Sequence, residues 1–513
     1  SLRMTGLINA WANFVIAKRA IVVGATLVLL LLVFFTGGTI PFDNSTERYF
    51  IAGDPTLLEY DQLLEVFGDN EYLIVGLEAA PHNSDIFNAE SLDALQRLSN
   101  FLDFHPYVTQ VRSLTNYQYI HADGDDLSTD YLLEDPLDIA DNPAVIEQIK
   151  SVLRGERLAM GTLVSEDFRH TRLAARVEYR ASTSEHKVEL TQDLYRFIEE
   201  ENLNSDEYIL HLSGYPLVNE RFETVSEADI IFLVPIMIAV MIVILYISFR
   251  SLVATAFPWL VIGAGLLLML EIQYYIGIPH TTIDNSALLP TLIIIGIGIT
   301  VHVLLEFFHF FNSKKDAVEA ARQTMIHLWM PAFFTAITTS AGFMALSVTR
   351  ILPIREFAFL GAIGSMLLFL FSLTLLPAML SYVKHVPAKT TTVLSGGLIS
   401  RFTQKIPDIT LKNRKLILLV GFATIFFAIW NLPNARVDNN FVTLFKESSQ
   451  TRQDIVYFDD VFKGMMTLDI VLDAGVTDGI KEPEFLVEME EIQTWLGGRE
   501  KLGKINSLAD YLK

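Results

Sequence analysis

The chain has 513 residues, 51% of them hydrophobic and 19% charged, with mean hydropathy +0.37, too apolar for an ordinary soluble protein of this size. It contains no cysteine, which excludes disulfides, thiolate metal sites and a thiol nucleophile. The formal net charge of −22 lies almost wholly within 41–228, a segment carrying about −24, and this argues against a nucleic-acid partner. Solubility of an exposed domain explains the acidity more simply than recruitment of a cationic partner.

In chain order, residues 1–19 form an amphipathic N-terminus, with Met4–Ala17 expected to lie along the cytoplasmic face or to extend the first span. Seven apolar runs are long enough to cross a bilayer, which takes roughly 20 residues. They fall at about 20–38, 229–249, 252–270, 288–308, 328–347, 357–383 and 415–432. The first has no small-residue cleavage site and reads as a retained anchor. Lys18, Arg19, Arg250, Lys314, Lys315 and Arg322 lie on one side of the spans. So do Lys384, Lys389, Arg401, Lys405, Lys412, Arg414 and Lys415, and that side is expected to be cytoplasmic. Arg350 and Arg355 are exceptions, in the short outer loop between spans five and six; Glu271, at the outer end of span three, reads as interfacial.

Residues 39–228 are therefore expected outside, in the periplasm of a Gram-negative cell. Their periodicity predicts strands over Tyr72–Glu78, Val108–Leu114, Arg172–Tyr179 and Tyr208–Gly214, and helices over Ala89–Phe104 and Lys187–Glu200. The acidic stretch 121–145 reads as irregular. Two β-α-β units predict a ferredoxin-like α+β module inserted into a polytopic α-helical membrane protein. Spans two to six fill 229–383, with a surface helix expected over Lys314–His327. A cytoplasmic linker covers 384–414, span seven 415–432, and a second outer domain begins at 433–513.

An internal repeat of about 395 residues ties the two ends of the chain together. Arg19 recurs as Arg414, Asp43-Asn44 as Asp438-Asn439, Phe50 as Phe445, and Val66-Phe67 as Val461-Phe462. Ile74-Val75 recurs as Ile470-Val471, Ser113-Leu114 as Ser507-Leu508 and Tyr117 as Tyr511. The repeat predicts a longer protein of two similar halves, cut here inside the second outer domain.

Span four carries Gly296-Ile297-Gly298-Ile299-Thr300-Val301-His302, and span five Thr338-Thr339-Ser340-Ala341-Gly342-Phe343 after Pro331. Ile351-Leu352-Pro353-Ile354-Arg355-Glu356-Phe357 leads through Gly361-Ala362-Ile363-Gly364 to Leu376-Pro377-Ala378. Asp54-Pro55 with Leu57, Tyr60 and Phe67 opens the outer domain, and Gly214-Tyr215-Pro216-Leu217 precedes span two. With one span, an outer domain and five clustered spans, the whole chain resembles the resistance-nodulation-division (RND) superfamily, in its MMPL-type branch beside hopanoid transporters and Patched-like proteins. The resemblance implies a secondary-active exporter in the bacterial inner membrane, moving lipids or other hydrophobic molecules on the proton motive force. A periplasmic carrier or outer-membrane partner would fit that role, and no cofactor is implied. A sterol- or lipid-binding sensor, or an accessory to translocation, is the alternative on the same scaffold.

The superfamily's span-four acid would fall at or beside Thr300, where this sequence has none. His302, Glu306 and His309 remain, at i, i+4 and i+7 on one helix face. Ionisable side chains inside a span are costly enough to be candidates for ion coupling, and histidine titrates near neutrality. Against this, Glu306 and His309 near the cytoplasmic end can snorkel, and His302 can hydrogen-bond Thr338 or Thr339 on span five. Gly296 and Gly298 read as close helix contacts or hinge positions. Pro235, Pro258, Pro290, Pro331 and Pro377 lie in or at the ends of spans. There is no phosphate-cradling Gly-Lys-Ser/Thr loop, no metal-ligand spacing and no nucleophile motif, so no catalytic residue is expected.

Overall fold

In a computed structural model of the chain, seven helices among the described residues are long and apolar enough to cross a membrane. The structure describes residues 2–511 apart from 44, 46, 52, 69, 124–125, 134–138, 141, 181–184, 385–397, 436–440, 465–466 and 500–501. The repeat positions Asn44, Asp438 and Asn439, together with Lys389, lie outside the described residues. The chain divides into two units. The first comprises residues 1–52 and 224–438, the second 53–223 and 439–513.

The first unit opens with α1 (Leu2–Ala17) and α2 (Arg19–Thr36), separated at Lys18, whose φ of −106° and ψ of 24° leave the helical region. The amphipathic N-terminus is thus a helix of its own. Its Ala12, Val15 and Ile16 are buried, and Trp11 meets Trp329 at 6.1 Å between ring centroids. Long helices follow: α7 (Tyr215–Phe249), α8 (Leu252–Ile276), α9 (Leu289–Lys314), α10 (Ala317–Ala345), α11 (Leu352–Leu380), α12 (Leu398–Lys412) and α13 (Arg414–Asn431). Each expected span lies within one of them or within two or three residues of its end.

Local chemistry sets the boundaries. Ser251 caps α8, accepting from Ala254 N, and Gly277, at φ +76°, closes it in the left-handed region that glycine tolerates best. The expected surface helix over Lys314–His327 does not exist as a separate element. Lys315 ends α9 in the left-handed region, Asp316 caps α10 by accepting from Val318 N, and α10 then runs unbroken through Pro331 into span five. A surface helix separate from span five would need a break near residue 327, and no residue there supplies one.

α11 is the most buried span, packing on α2, α8, α9 and α10. Gly364 permits this approach: a Cβ there would stand 2.5 Å from Leu292 Cδ1 on α9. Ser340 Oγ on α10 lies 2.8 Å from Ser365 Oγ on α11, and Arg19 donates to Ser381 O at 2.9 Å while covering the Tyr382 ring.

In the second unit, four strands form an antiparallel sheet: β1 (Tyr72–Ala79), β2 (Val108–Arg112), β5 (His170–Val177) and β6 (Tyr208–Gly214). Their order is β2-β5-β1-β6. Helices α4 (Ala89–Asp103) and α6 (Glu185–Glu200) follow β1 and β5, giving the split β-α-β connectivity expected. The period of two along β1 separates its faces. Leu73, Val75 and Leu77 share a core with Leu92, Leu95, Leu98, Leu190 and Leu194, each such burial worth about 1.5–3 kcal/mol. Ile74 faces the other way, onto Phe458 and Phe462 of α14 (Gln450–Phe462).

The stretch 121–145 is not irregular throughout. It holds a hairpin of β3 (Gln118–Asp123) and β4 (Asp126–Tyr131), then the start of α5 (Pro143–Gly155), with Asn142 capping and Pro143 in its first turn. The density of Asp masked this pattern, because acidic residues depress strand propensity without preventing a two-stranded ladder. β2 ends at Arg112, two residues earlier than expected, because Ser113 caps a 3₁₀ turn. The remaining helices are α3 (Pro55–Phe67) and α15 (Pro483–Gly497).

Candidate functional site

α9 presents two faces. Thr300, Val303, Leu304 and Phe307 point into the bundle and are fully buried. His302 and His309 are exposed and Glu306 half-buried, on the face that no other described helix covers closely. At the position where the resemblance leads one to expect an acid, the Thr300 hydroxyl donates to Ile297 O at 3.0 Å, so its hydrogen-bonding capacity is used within its own helix. Glu306 has a partner that sequence spacing does not reveal: its Oε1 lies 3.1 Å from Nδ1 of His327 on α10.

Thr338 is exposed and donates to Phe334 O and Thr335 O of its own helix, at 2.8 and 3.0 Å. Thr339 is half-buried, and among the described residues no bond joins His302 to either threonine. Gly296 is a packing glycine, since a Cβ would meet Ile262 Cγ1 at 2.8 Å and Leu368 Cδ2 at 3.1 Å. Gly298 opens onto free space. The two glycines therefore belong to opposite faces.

A second polar cluster gathers at the other end of α9, beyond its first turn. Residues 41–43 lie beside His280: Asp43 N donates to His280 O at 3.0 Å and His280 N to Pro41 O at 2.7 Å. This brings Arg48 to Glu356 at the start of α11, where Nη2 donates to Oε1 and Oε2 at 2.6 and 2.7 Å. Asp284 opens a π-helical turn, Asp284–Leu288, ahead of α9. Its Oδ2 accepts from Thr281 N at 2.9 Å and Thr281 Oγ1 at 3.2 Å, and Nδ1 of His280 lies 3.8 Å away. Burial pushes the Asp284 carboxyl up from its ordinary value, partly offset by His280, Thr281 and Gln273. Glu271 is buried and accepts from Thr36 Oγ1 at 3.1 Å, so it ties α8 to α2. Asp284 and Arg48 escape sequence reasoning because each is one charge in a loop beside an apolar run. Their polar character was visible, but their convergence was not.

In the second unit, His211 of β6 is held between Asp454 Oδ1, 2.8 Å from Nδ1, and Glu78 Oε2, 3.1 Å from Nε2. The Tyr457 ring stacks on it at 3.7 Å, and the Tyr457 hydroxyl lies 3.1 Å from His170 Nδ1. Burial pushes the Tyr457 phenol up, and neighbouring carboxylates add to this, so it keeps its proton and can donate to His170.

Seven helices among the described residues that are long and apolar enough to span a bilayer define a polytopic membrane protein. The MMPL family model matches residues 89–411, well over half of the chain, and the chain belongs to that family. It is also 26% identical over 201 residues to a membrane protein of Streptomyces coelicolor, a match covering 38% of this chain and 28% of that protein.

Proposed function

We propose that this chain is part of an RND-type secondary transporter of the inner membrane, moving lipids or other hydrophobic molecules and driven by protons. The observation that carries this reading is the stripe His302, Glu306, His309 with His327, an ionisable set on the uncovered face of an otherwise apolar span. Such groups are rarely left against lipid. They normally face a bundle interior or a water-filled path, so a further set of spans fits against this face. Support for a two-part design comes from the helix boundaries. The pair α1–α2, broken at Lys18, has a counterpart 395 residues on in α12–α13, broken at Asn413, and α3 a counterpart in α14. The second unit, in this reading, stands in the periplasm, and a carrier there would hand substrate on.

A sensing or facilitating role without pumping is the second reading. It is favoured by Thr300, whose hydroxyl is satisfied where an acid would otherwise take up the coupling ion. The two readings separate in vesicles reconstituted with the full chain, a pH gradient and a fluorescent phospholipid. Proton-driven transfer that falls at least tenfold in Glu306→Gln and His302→Ala supports the pump. Transfer indifferent to the gradient and to both variants would sink it in favour of the second reading.

A further inference from the structure

We propose that Arg19, Lys18 and Tyr382, together with an apolar stripe of α1, bind an anionic phospholipid, its phosphate on the Arg19 guanidinium and its chains against Leu7 and Phe14. Arg19 Nη1 donates to Ser381 O and Ser381 Oγ at 2.9 and 3.1 Å, and the guanidinium lies 4.3 Å over the Tyr382 ring. These contacts orient the planar fork but bring it no negative charge. A guanidinium has further donors on Nε and Nη2. Among the described residues those donors have no acceptor, and no carboxylate pairs with Arg19, although the residue is half-buried. A fixed fork with donors to spare is suited to phosphate oxygens, which it can bond in pairs.

Depth in the bilayer says which anion meets it. α2 has 18 residues and Arg19 as its single charge, so it is roughly 27 Å long, close to the thickness of the hydrocarbon core. Its first residue therefore stands at one boundary of that core, at the level of the lipid phosphates. α11 ends at Leu380, and the bonds from Arg19 to Ser381 bring its end to the same level. Tyr382 is exposed there, as aromatic residues at a membrane interface commonly are.

The faces of α1 fit the same boundary. Ile8, Ala12, Val15 and Ile16 are buried on the bundle, whereas Leu7, Ala10 and Phe14 form a separate exposed stripe, with Leu7 70% and Phe14 57% exposed. The positions i, i+3 and i+7 put the three on one line of the helix. Arg3, Lys18 and Arg19 are the charged residues before Asp43, with no Asp or Glu among them. An apolar stripe ending in uncompensated cations is what a helix presents to an anionic lipid surface. The arrangement recurs 395 residues on. α12 exposes Ile406, Ile409 and Leu411 and ends at Lys412, and the 18-residue α13 begins with Arg414-Lys415.

This lipid is a bound component and not a cargo, so the site stands apart from the transport reading. The test is thermal melting of the full chain in a neutral detergent, titrated with phosphatidylglycerol, phosphatidylcholine or inorganic phosphate. Phosphatidylglycerol is expected to raise the melting temperature more than phosphatidylcholine, by a difference that shrinks as salt is added. Arg19→Gln also loses the Ser381 bonds, so the readout is this difference and not stability itself. The apparent affinity for phosphatidylglycerol should weaken about fivefold in Arg19→Gln and in Lys18→Gln, the share of one basic residue at an anionic surface. Lys18 is exposed and its side chain makes no capping bond, so its replacement leaves the fold in place. Leu7→Ser with Phe14→Ser should weaken both lipids alike. Equal rises with the two lipids overturn the site. So does an affinity for phosphatidylglycerol unchanged in Arg19→Gln or, if that variant does not fold, in Lys18→Gln. A rise reproduced by inorganic phosphate overturns the lipid as occupant.

Discussion

Arg48 and Glu356 are joined across more than three hundred residues of sequence by a guanidinium nitrogen 2.6 and 2.7 Å from the two carboxylate oxygens, with both side chains largely buried. Glu356 begins α11, the best-packed span, and Arg48 lies in the segment that follows α2. The pair therefore fixes the end of the bundle around Asp284. Removing one partner of such a pair leaves a charge in a poorly solvated place, whereas removing both does not.

Arg48→Ala is accordingly expected to destabilise the protein by about 3 kcal/mol, and Arg48→Ala with Glu356→Gln by clearly less. A double-mutant cycle read by thermal melting in detergent measures the coupling. Additive effects would show that the two side chains act independently.

Gly364 on α11 touches Leu292 on α9 so closely that any side chain must displace it. Gly364→Val should cost about 1–3 kcal/mol through overpacking. Adding Leu292→Ala, which makes room, should recover part of the loss. Failure of this second change to help would place the strain elsewhere.

His211 bridges two carboxylates, and both bonds can be donated at once only by the imidazolium. His211→Ala should cost about 1 kcal/mol by taking one donor from the buried Asp454 carboxylate, which keeps Gln450 Nε2 at 2.8 Å and Leu212 N at 3.3 Å. Because Asp454 belongs to α14, the effect should be local: amide exchange in α14 should quicken while that in α4 stays slow. Equal change in both helices would argue against a bond confined to α14.

Burial holds the His170 imidazole below its ordinary value, against the pull of Asp167 and Glu78 and with Arg169 and His211 helping. A base depressed in the folded state contributes stability that is complete above the unfolded value, about 6.5, and is lost as pH falls from there toward the folded value. His170→Gln should therefore flatten the fall in melting temperature between pH 7 and pH 5. An unchanged slope would mean that His170 is not the group responsible.

The sequence by itself determined what depends on neighbours along the chain. Runs of apolar residues placed all seven spans, since no shorter-range signal competes with 20 consecutive hydrophobic positions. The alternation in 72–78 and 172–179 and the helical period in 89–104 and 187–200 placed the sheet and its helices, with errors of a few residues at caps. The Asp-rich hairpin at 118–131 was lost because composition there outweighed period. The polar residues of 314–327 suggest a separate surface helix, but nothing near 327 breaks the helix that Asp316 caps, so it continues into span five.

Tertiary structure alone decided which side chains meet. The face holding His302, Glu306 and His309, and its lying opposite Thr300, follow from helical spacing, but its pairing with His327 and the burial of Thr300 depend on how the helices pack. Asp43 and Arg48 share one short stretch, Gln273, Asp284 and Glu356 come from three others, and no local pattern links them. Each is an ordinary polar residue in sequence. Burial and proximity, which are properties of the packed chain, turn them into a charged cluster with one unsatisfied acceptor.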